Sequence, residues 1–335
     1  MSDILYFKLF ANCIPVRGES ESVIMDLQRG EYFPIPNKLM DVLELTQGNL
    51  SVQEIKNYFD NEYDQGIEAY FSLFEENEYG FYTDEPELFP EISTEFEFPS
   101  RIISSVICLD QTTKFNIHKV LCQLENWGCQ TIQIRILDTF SIRALNKALQ
   151  DISESDIKII ELFIPDKLAT NEELIDLMHT SLRVSIVVYS SAFNKKIRIK
   201  RHKDRYVSFI RESIGKETKE LYAKHLMYCN VKFYSESVNF NAGLNRKISI
   251  DESGQISNYI RHKDKFGNIE NINIDQLIHD ERFTHKWLIN NDKIEKCRIC
   301  QYRYMCNSNS DIKKEGGKYY KVDDCGFEPA TNRWN

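Results

Sequence analysis

The sequence predicts an α/β chain of three domains: an open or partial βα barrel, flanked by an N-terminal winged-helix-like module and a C-terminal domain built around one metal site. Three observations carry this reading. Strands alternate with helices of about ten residues through the middle of the chain, which is the pattern of right-handed βαβ units and a parallel sheet. A strand-then-helix segment precedes them. Four of the nine cysteines crowd the C-terminal end. A length of 335 residues exceeds what one core usually holds, so several domains are expected.

The first domain is assigned to residues 1–86. Ile4 to Ala11, Ser22 to Gln28 and Glu31 to Ile35 read as short strands, with turns at Gly18 and Arg29-Gly30. Asn37 is placed as the cap of a helix whose Leu39, Val42, Leu43 and Leu45 share a face. Ser51 with Glu54 forms a capping box for a second helix, with Val52, Ile55, Tyr58 and Phe59 inward. A third helix carries Ile67, Tyr70, Phe71 and Phe74. The acidic stretch from Asp84 to Phe98, broken by Pro86 and Pro90, reads as a linker.

Residues 99–228 are the barrel segment. Ile102–Leu109, Thr131–Leu137, Ile157–Ile164 and Val184–Tyr189 read as strands, and Ile117–Trp127, Ser141–Asp151 and Asn171–His179 as helices. Four strands are too few for a closed eight-stranded barrel. A basic run (Lys195, Lys196, Arg198, Lys200, Arg201, Lys203, Arg205) reads as a solvated face, or a receiver for an acidic peptide, ahead of a helix from about Tyr206 to Met227.

Residues 229–335 hold the chemistry. Lys247–Asp251 and Gln255–Arg261 flank the turn Glu252-Ser253-Gly254 and read as a hairpin, and a helix follows from about Asp275. Then comes Cys-x2-Cys-x5-Cys-x18-Cys at Cys297, Cys300, Cys306 and Cys325. The first pair places two thiolates on one tight turn. Four thiolates suit tetrahedral zinc or a cubane iron–sulfur cluster, and spacing alone does not choose between them. Nine cysteines is an odd number and no secretion signal precedes them, which argues against a disulfide framework and for a cytoplasmic protein. His225, His279 and His285 read as satisfied or solvated residues, since four cysteines complete a site. A net charge of −9 opposes a nucleic-acid surface, and no apolar run is long enough to span a membrane. No phosphate-binding loop, nucleophile elbow or His-Glu-x-x-His motif is present.

The third segment resembles a SPASM domain, the cluster-binding extension of radical-SAM peptide-modifying enzymes. Phe240-Asn-Ala-Gly243, the strand Ile248–Asp251, Gly254 to Tyr259, Gly267-Asn268-Ile269 and the Cys297 cluster with Tyr302 follow that pattern. Phe240, Tyr259 and Ser310 stand where the pattern has cysteines. The resemblance implies that those three belong to a first auxiliary cluster, now erased, and that the four retained cysteines hold a second, [4Fe-4S] in type. The middle segment resembles the radical-SAM barrel, whose signature is Cys-x3-Cys-x2-Cys. Here Cys108 takes the first position, and Thr112 and Phe115 take the others. One thiolate holds no cubane, so the expectation is a chain with no S-adenosylmethionine and no radical chemistry.

The first segment is similar to the peptide-recognition element of ribosomal peptide modification systems, over Val23 to Pro36 and Leu50 to Ile55. A leader peptide is then expected to add along Glu31 to Ile35, with Glu31, Tyr32, Phe33, Ile35, Tyr70 and Phe74 forming its site. In this order the segments resemble the SPASM-domain maturase of grasp-with-spasm systems, which implies an ATP-grasp ligase and a small precursor peptide as partners and a non-catalytic, assisting role. Two other classes fit parts of the chain: an electron-transfer iron–sulfur protein, and a winged-helix regulator with a zinc site. The second is opposed by the acidic balance and by a Ser51 helix carrying only Lys56 as a cation.

Overall fold

The structure is a computed structural model that describes residues 4–199, 202–215, 218 and 227–334, with the backbone alone at 199 and 202–204. In chain order come β1 (Tyr6–Leu9), β2 (Cys13–Val16), β3 (Ser22–Asp26), β4 (Glu31–Ile35), α1 (Asn37–Gln47), α2 (Val52–Tyr58), α3 (Asp64–Glu76) and β5 (Gly80–Thr83). Then follow β6 (Ser104–Leu109), α4 (Ile117–Asn126), β7 (Thr131–Ile136), α5 (Ile142–Asp151), β8 (Ile159–Pro165), α6 (Asn171–Thr180), β9 (Val184–Tyr189), β10 (Lys195–Ile199) and β11 (His202–Phe209). The remainder is α7 (Val231–Asn239), β12 (Lys247–Ile250), β13 (Ile256–Ser257), α8 (Ile274–His279), α9 (Glu281–Thr284), β14 (Ile312–Glu315), β15 (Lys318–Lys321), β16 (Phe327–Glu328) and β17 (Arg333–Trp334). The residues group into two compact units. One takes Met1–Phe96, Tyr222–Ala242 and Leu288–Asn335, and the other takes Glu97–Leu221 and Gly243–Trp287.

In the first unit, β2, β3 and β4 form an antiparallel sheet in that order, and β1 pairs separately with β5. Every residue of β3 is buried. Strand side chains alternate between faces, so β3 feeds two cores. Ile24 joins Phe7, Leu39, Leu43, Phe71 and Phe74 beneath the helices. Val23 and Met25 join Val16, Tyr234, Tyr302, Met305 and Phe327 on the other face. The Ser51–Glu54 capping box is present. Asn37 is not a cap. Pro36 holds that position, and the Asn37 amide instead donates to the Gly18 and Glu19 carbonyls and accepts from the Ser22 hydroxyl. The stretch read as a linker stays largely exposed over residues 86–96 and touches the first unit at a few points. Ile92 lies against the second core, Phe89 meets Phe81, Phe96 meets Phe240, and Asn239 donates to the Thr94 carbonyl. Ile92 and Phe96 are half-buried at these contacts, whereas Leu88 and Phe89 are exposed.

The second unit is α/β, with an eight-stranded, mostly parallel sheet ordered β10-β11-β9-β8-β7-β6-β12-β13. From β6 to β9 each strand pairs with its successor in parallel. Right-handed crossovers then place α4, α5 and α6 on one face. Ile132, Ile134, Ile160, Leu162, Val184 and Ile186 are fully or nearly fully buried and share a face by register. The opposite face is polar along its middle. Arg135, 1% exposed, donates to Gln133 at 2.7 Å and to the Thr218 carbonyl at 2.7 Å. Gln133 donates to Glu161, which also accepts from the Tyr206 hydroxyl. β12 extends this sheet beside β6, and its hairpin to β13 turns at Gly254, whose φ of +84° favours glycine.

The helix expected from Tyr206 is a strand as far as Phe209, because β11 supplies the next parallel partner to β9. Most of the remaining span to Met227 lies outside the described residues. Lys195, Lys196 and Arg198 are exposed on β10, and the Lys196 ammonium sits 3.8 Å from the Tyr206 ring. Arg205 is buried and donates to the carbonyls of Val184, Met178 and Ser181, so it closes a helix end rather than facing solvent. Lys200, Arg201 and the Lys203 side chain lie outside the described residues. No helix of the described residues is long and apolar enough to cross a membrane.

Phe71 is fully buried and stacks on Phe7 with ring centroids 4.3 Å apart. Phe71→Ala is expected to cost about 3–5 kcal/mol, read as a lower urea midpoint. A loss below about 1 kcal/mol, the scale of a tolerated hydrophobic swap, would place the ring outside the core.

Candidate metal centre

Local chain geometry puts two of the four cysteines on one turn, and a hairpin returns the chain toward them before the fourth. Cys297 and Cys300 share a tight turn, in which the Cys300 N–H donates to the Cys297 carbonyl at 2.9 Å. Cys306 lies in an antiparallel bridge with Met227. The chain then leaves along β14 and returns along β15, turning at Gly316-Gly317 with φ of +56° and +83°, the signature of a two-residue hairpin loop. A bridge from Ile294 to Tyr319 and an ion pair from Lys318 to Glu295 tie this hairpin to the start of the cysteine turn. Lys296 donates to the Cys325 carbonyl at 3.2 Å, which holds the last cysteine there.

The four thiols share one electrostatic neighbourhood. Burial is the main cause that lifts the Cys297 and Cys300 thiols, the latter to about 12; Cys306 and Cys325 act on both in the same direction, and Cys297 acts on Cys300. The Lys321 ammonium hydrogen-bonds Cys297 and works in the opposite direction, favouring its thiolate. The Tyr302 N–H donates to Cys300 Sγ at 3.4 Å. Cys297, Cys300 and Cys306 are half-buried, and Cys325 is exposed. Among the described residues, no three His, Cys, Asp or Glu stand at the spacing of a bound metal ion. The donor chemistry itself fits a thiolate-bound group: four sulfurs, with an ammonium on one and a backbone N–H on another.

This segment is seated on the three-stranded sheet. The Glu19 N–H donates to the Ile299 carbonyl at 2.8 Å, and Arg303 donates to the Arg17 carbonyl at 2.6 Å. Gly18 is required by close approach: a Cβ there would stand 2.2 Å from the Glu21 carbonyl and 2.8 Å from the Gln301 side chain. Asn332 donates to Glu21 at 2.7 Å, and Gln301 donates to Asn332. The Cys229 thiol donates to the carbonyls of Asp26 and Glu31, so it closes the β3–β4 turn. Nothing in the cysteine spacing signals these contacts, because the partners are far apart in sequence.

β4 is the edge of its sheet and pairs only with β3 among the described residues. Pro34 lies opposite Val23 and Tyr32 opposite Met25. Pro34 has no N–H, and antiparallel ladders alternate in steps of two, so the Tyr32 N–H points away from β3, as the Pro34 nitrogen does. Glu31, Tyr32 and Phe33 are exposed, as is Tyr70. Ile35 and Phe74 are buried in the core beneath the helices, at 1% and 0% exposed, and offer no surface. Their apolar character serves packing. Just beyond β4, Lys38, Leu39 and Asp41 line a groove of about 430 Å³ with Phe59, Tyr63 and Tyr70.

The remaining candidate positions are satisfied locally. Cys108 is buried and its thiol is lifted to about 11. Thr112 donates from both its N–H and its hydroxyl to Asp110, and Phe115 is buried. Phe240 packs on Phe96, and Ser310 is buried with its hydroxyl between the Asp311 carbonyl and the Asp323 N–H. Tyr259, in the other unit, receives Arg135 on its hydroxyl. His279 bonds the Asp275 carbonyl, and His225 lies outside the described residues.

No family model matches the sequence, and no curated protein matches it. Among solved structures, the crystal structure of Streptococcus suis SuiB aligns over 92% of this chain and 94% of that one, at 12% identity and a TM-score of 0.28. An overlap that loose assigns neither fold nor function.

The thiols divide by accessibility. An unfolded cysteine titrates near 9.0, whereas burial holds Cys108 near 11 and Cys129 near 12. The stability gained from keeping them neutral is complete below pH 9.0 and drains as pH rises through those folded values. Alkylation of the native, metal-free chain at about pH 8 is therefore expected to label Cys325 first and Cys108 and Cys129 last, read by peptide mass spectrometry. Early labelling of Cys129 would contradict its burial.

Proposed function

We propose that this chain assists the maturation of a ribosomally made peptide: it binds the precursor's leader and presents the remainder to a partner ATP-grasp ligase. The observation that carries this reading is β4, an edge strand with an outward N–H at Tyr32 and exposed side chains on both faces. An extended peptide adding there gains main-chain hydrogen bonds for affinity, and the groove that opens beyond Ile35 offers apolar contact for specificity. Ordering a flexible leader costs several kcal/mol, so binding of micromolar order is expected.

Cys297, Cys300, Cys306 and Cys325 would hold one [4Fe-4S] cluster, with zinc as the alternative occupant. Such a group supplies a structural staple for a segment with little core of its own. The chain performs no radical chemistry in this reading. Thr112, engaged by Asp110, and buried Phe115 stand where further thiolates are required.

Anaerobic reconstitution is expected to give about four irons per chain and absorbance near 400 nm, both lost in Cys300→Ser. Zinc in place of iron would assign the alternative, and no metal at all would remove the site. For the leader, Tyr32→Pro removes the outward N–H and the ring, and Tyr32→Ala removes only the ring. Titration of a labelled leader is expected to rank wild type above Tyr32→Ala, and Tyr32→Ala above Tyr32→Pro. Equal affinities of the two variants would remove the edge-strand model.

A further inference from the structure

The exposed ring of Tyr32 does not stand alone on its face of β4. It meets Tyr302 edge-on at 5.4 Å between centroids. Tyr302 meets Phe327 at 5.0 Å and Trp334 at 6.4 Å, and Phe327 meets Trp334 at 4.9 Å. These three rings belong to the cysteine segment. Tyr302 lies two residues after Cys300, and Phe327 two after Cys325. The end rings are exposed, Tyr32 at 41% and Trp334 at 48%, and the rings between them, Tyr302 and Phe327, are buried in the second core at 8% and 2%. The turn that carries Cys297 and Cys300 is also bonded to the β2–β3 loop through Glu19, and the Cys229 thiol bonds the first carbonyl of β4.

We propose that the buried rings Tyr302 and Phe327 back the exposed Tyr32 ring at the peptide-binding edge, and that filling the four-thiolate site fixes this backing. The inference rests on the peptide reading above and assigns the metal a task within it. A strand laid along β4 sends alternate side chains to each face. Those on the Tyr32 side meet the exposed Tyr32 ring, which Tyr302 holds from beneath, so the occupant is an extended leader with an aromatic or branched apolar residue at that register. Phe327 is reached from Cys325 in two residues, and Tyr302 from Cys300 in two. Drawing both cysteines onto one metal group therefore fixes the two rings against each other. Metal affinity and peptide affinity are then linked, and by reciprocity each strengthens the other.

The test compares the full chain loaded with its metal and stripped by a chelator, in two measurements. The first is titration of the labelled leader. Stripping is expected to weaken it about 5- to 150-fold, the usual span of coupling between two sites. Tyr302→Leu, with its metal content unchanged, is expected to weaken it about three- to tenfold, the worth of one ring pair. The second is hydrogen exchange. Stripping is expected to speed exchange at Val23 to Asp26 and leave Ile134 and Ile160 unchanged. Equal leader affinity with and without metal overturns the linkage while the peptide reading stands. A loaded wild type that binds no leader overturns the peptide reading. In that case unchanged exchange at Val23 to Asp26 overturns the linkage as well, and faster exchange confined to those residues supports it.

Discussion

The first unit depends on a single strand being buried on both faces. β3 sends Ile24 toward the helices and Val23 and Met25 toward the cysteine segment. A strand of five buried residues needs two layers to cover it, and each of its three apolar side chains, Val23, Ile24 and Met25, contributes roughly 1.5–3 kcal/mol when hidden from water. The helices supply one layer from nearby sequence. The other is made of α7, the cysteine turn and the residues around Phe327, all from the far end of the chain. A metal group here would act on more than its own loop. It would hold in place half of what keeps β3 dry.

Much of the second unit was legible in the sequence because its signals are local. Thr131 to Ile136 alternates in face, Ser141 and Asn116 cap the helices that follow, and Gly128 ends one at φ +81°. Monotonic pairing from β6 to β9 then follows from chain order. The continuation into β11 was not legible. Residues 206–209 are apolar enough for a helix face, and what makes them a strand is the open edge of β9. In the first unit, β2 was missed because Pro15 interrupts a four-residue run, and β5 because its partner β1 lies at the opposite end of the module. Such pairings are decided by tertiary burial rather than by propensity.

The candidate site divides in the same way. The spacing of Cys297, Cys300 and Cys306 announces a turn able to gather thiols, and the Gly316-Gly317 hairpin explains how Cys325 returns. Ile35 and Phe74 were drawn into the peptide site by their apolar character, the same property that buries them. Tyr32 is placed there as a residue of the edge strand, and it is exposed. Its contact with Tyr302 was not legible, because periodicity cannot bring two residues together from opposite ends of a chain.

The first unit is assembled from the first and last parts of the sequence, and this has a consequence during synthesis. β3 leaves the ribosome early, while Tyr302, Met305 and Phe327 follow only after the whole α/β segment has been made. At about 5–20 residues per second, Val23 and Met25 wait roughly ten seconds to a minute for their cover. Through that interval the nascent chain displays a sheet with one bare apolar face and two open edges, a form that invites capture by chaperones or by a neighbouring copy. The cell therefore handles an open strand edge before the segment that covers its sheet exists.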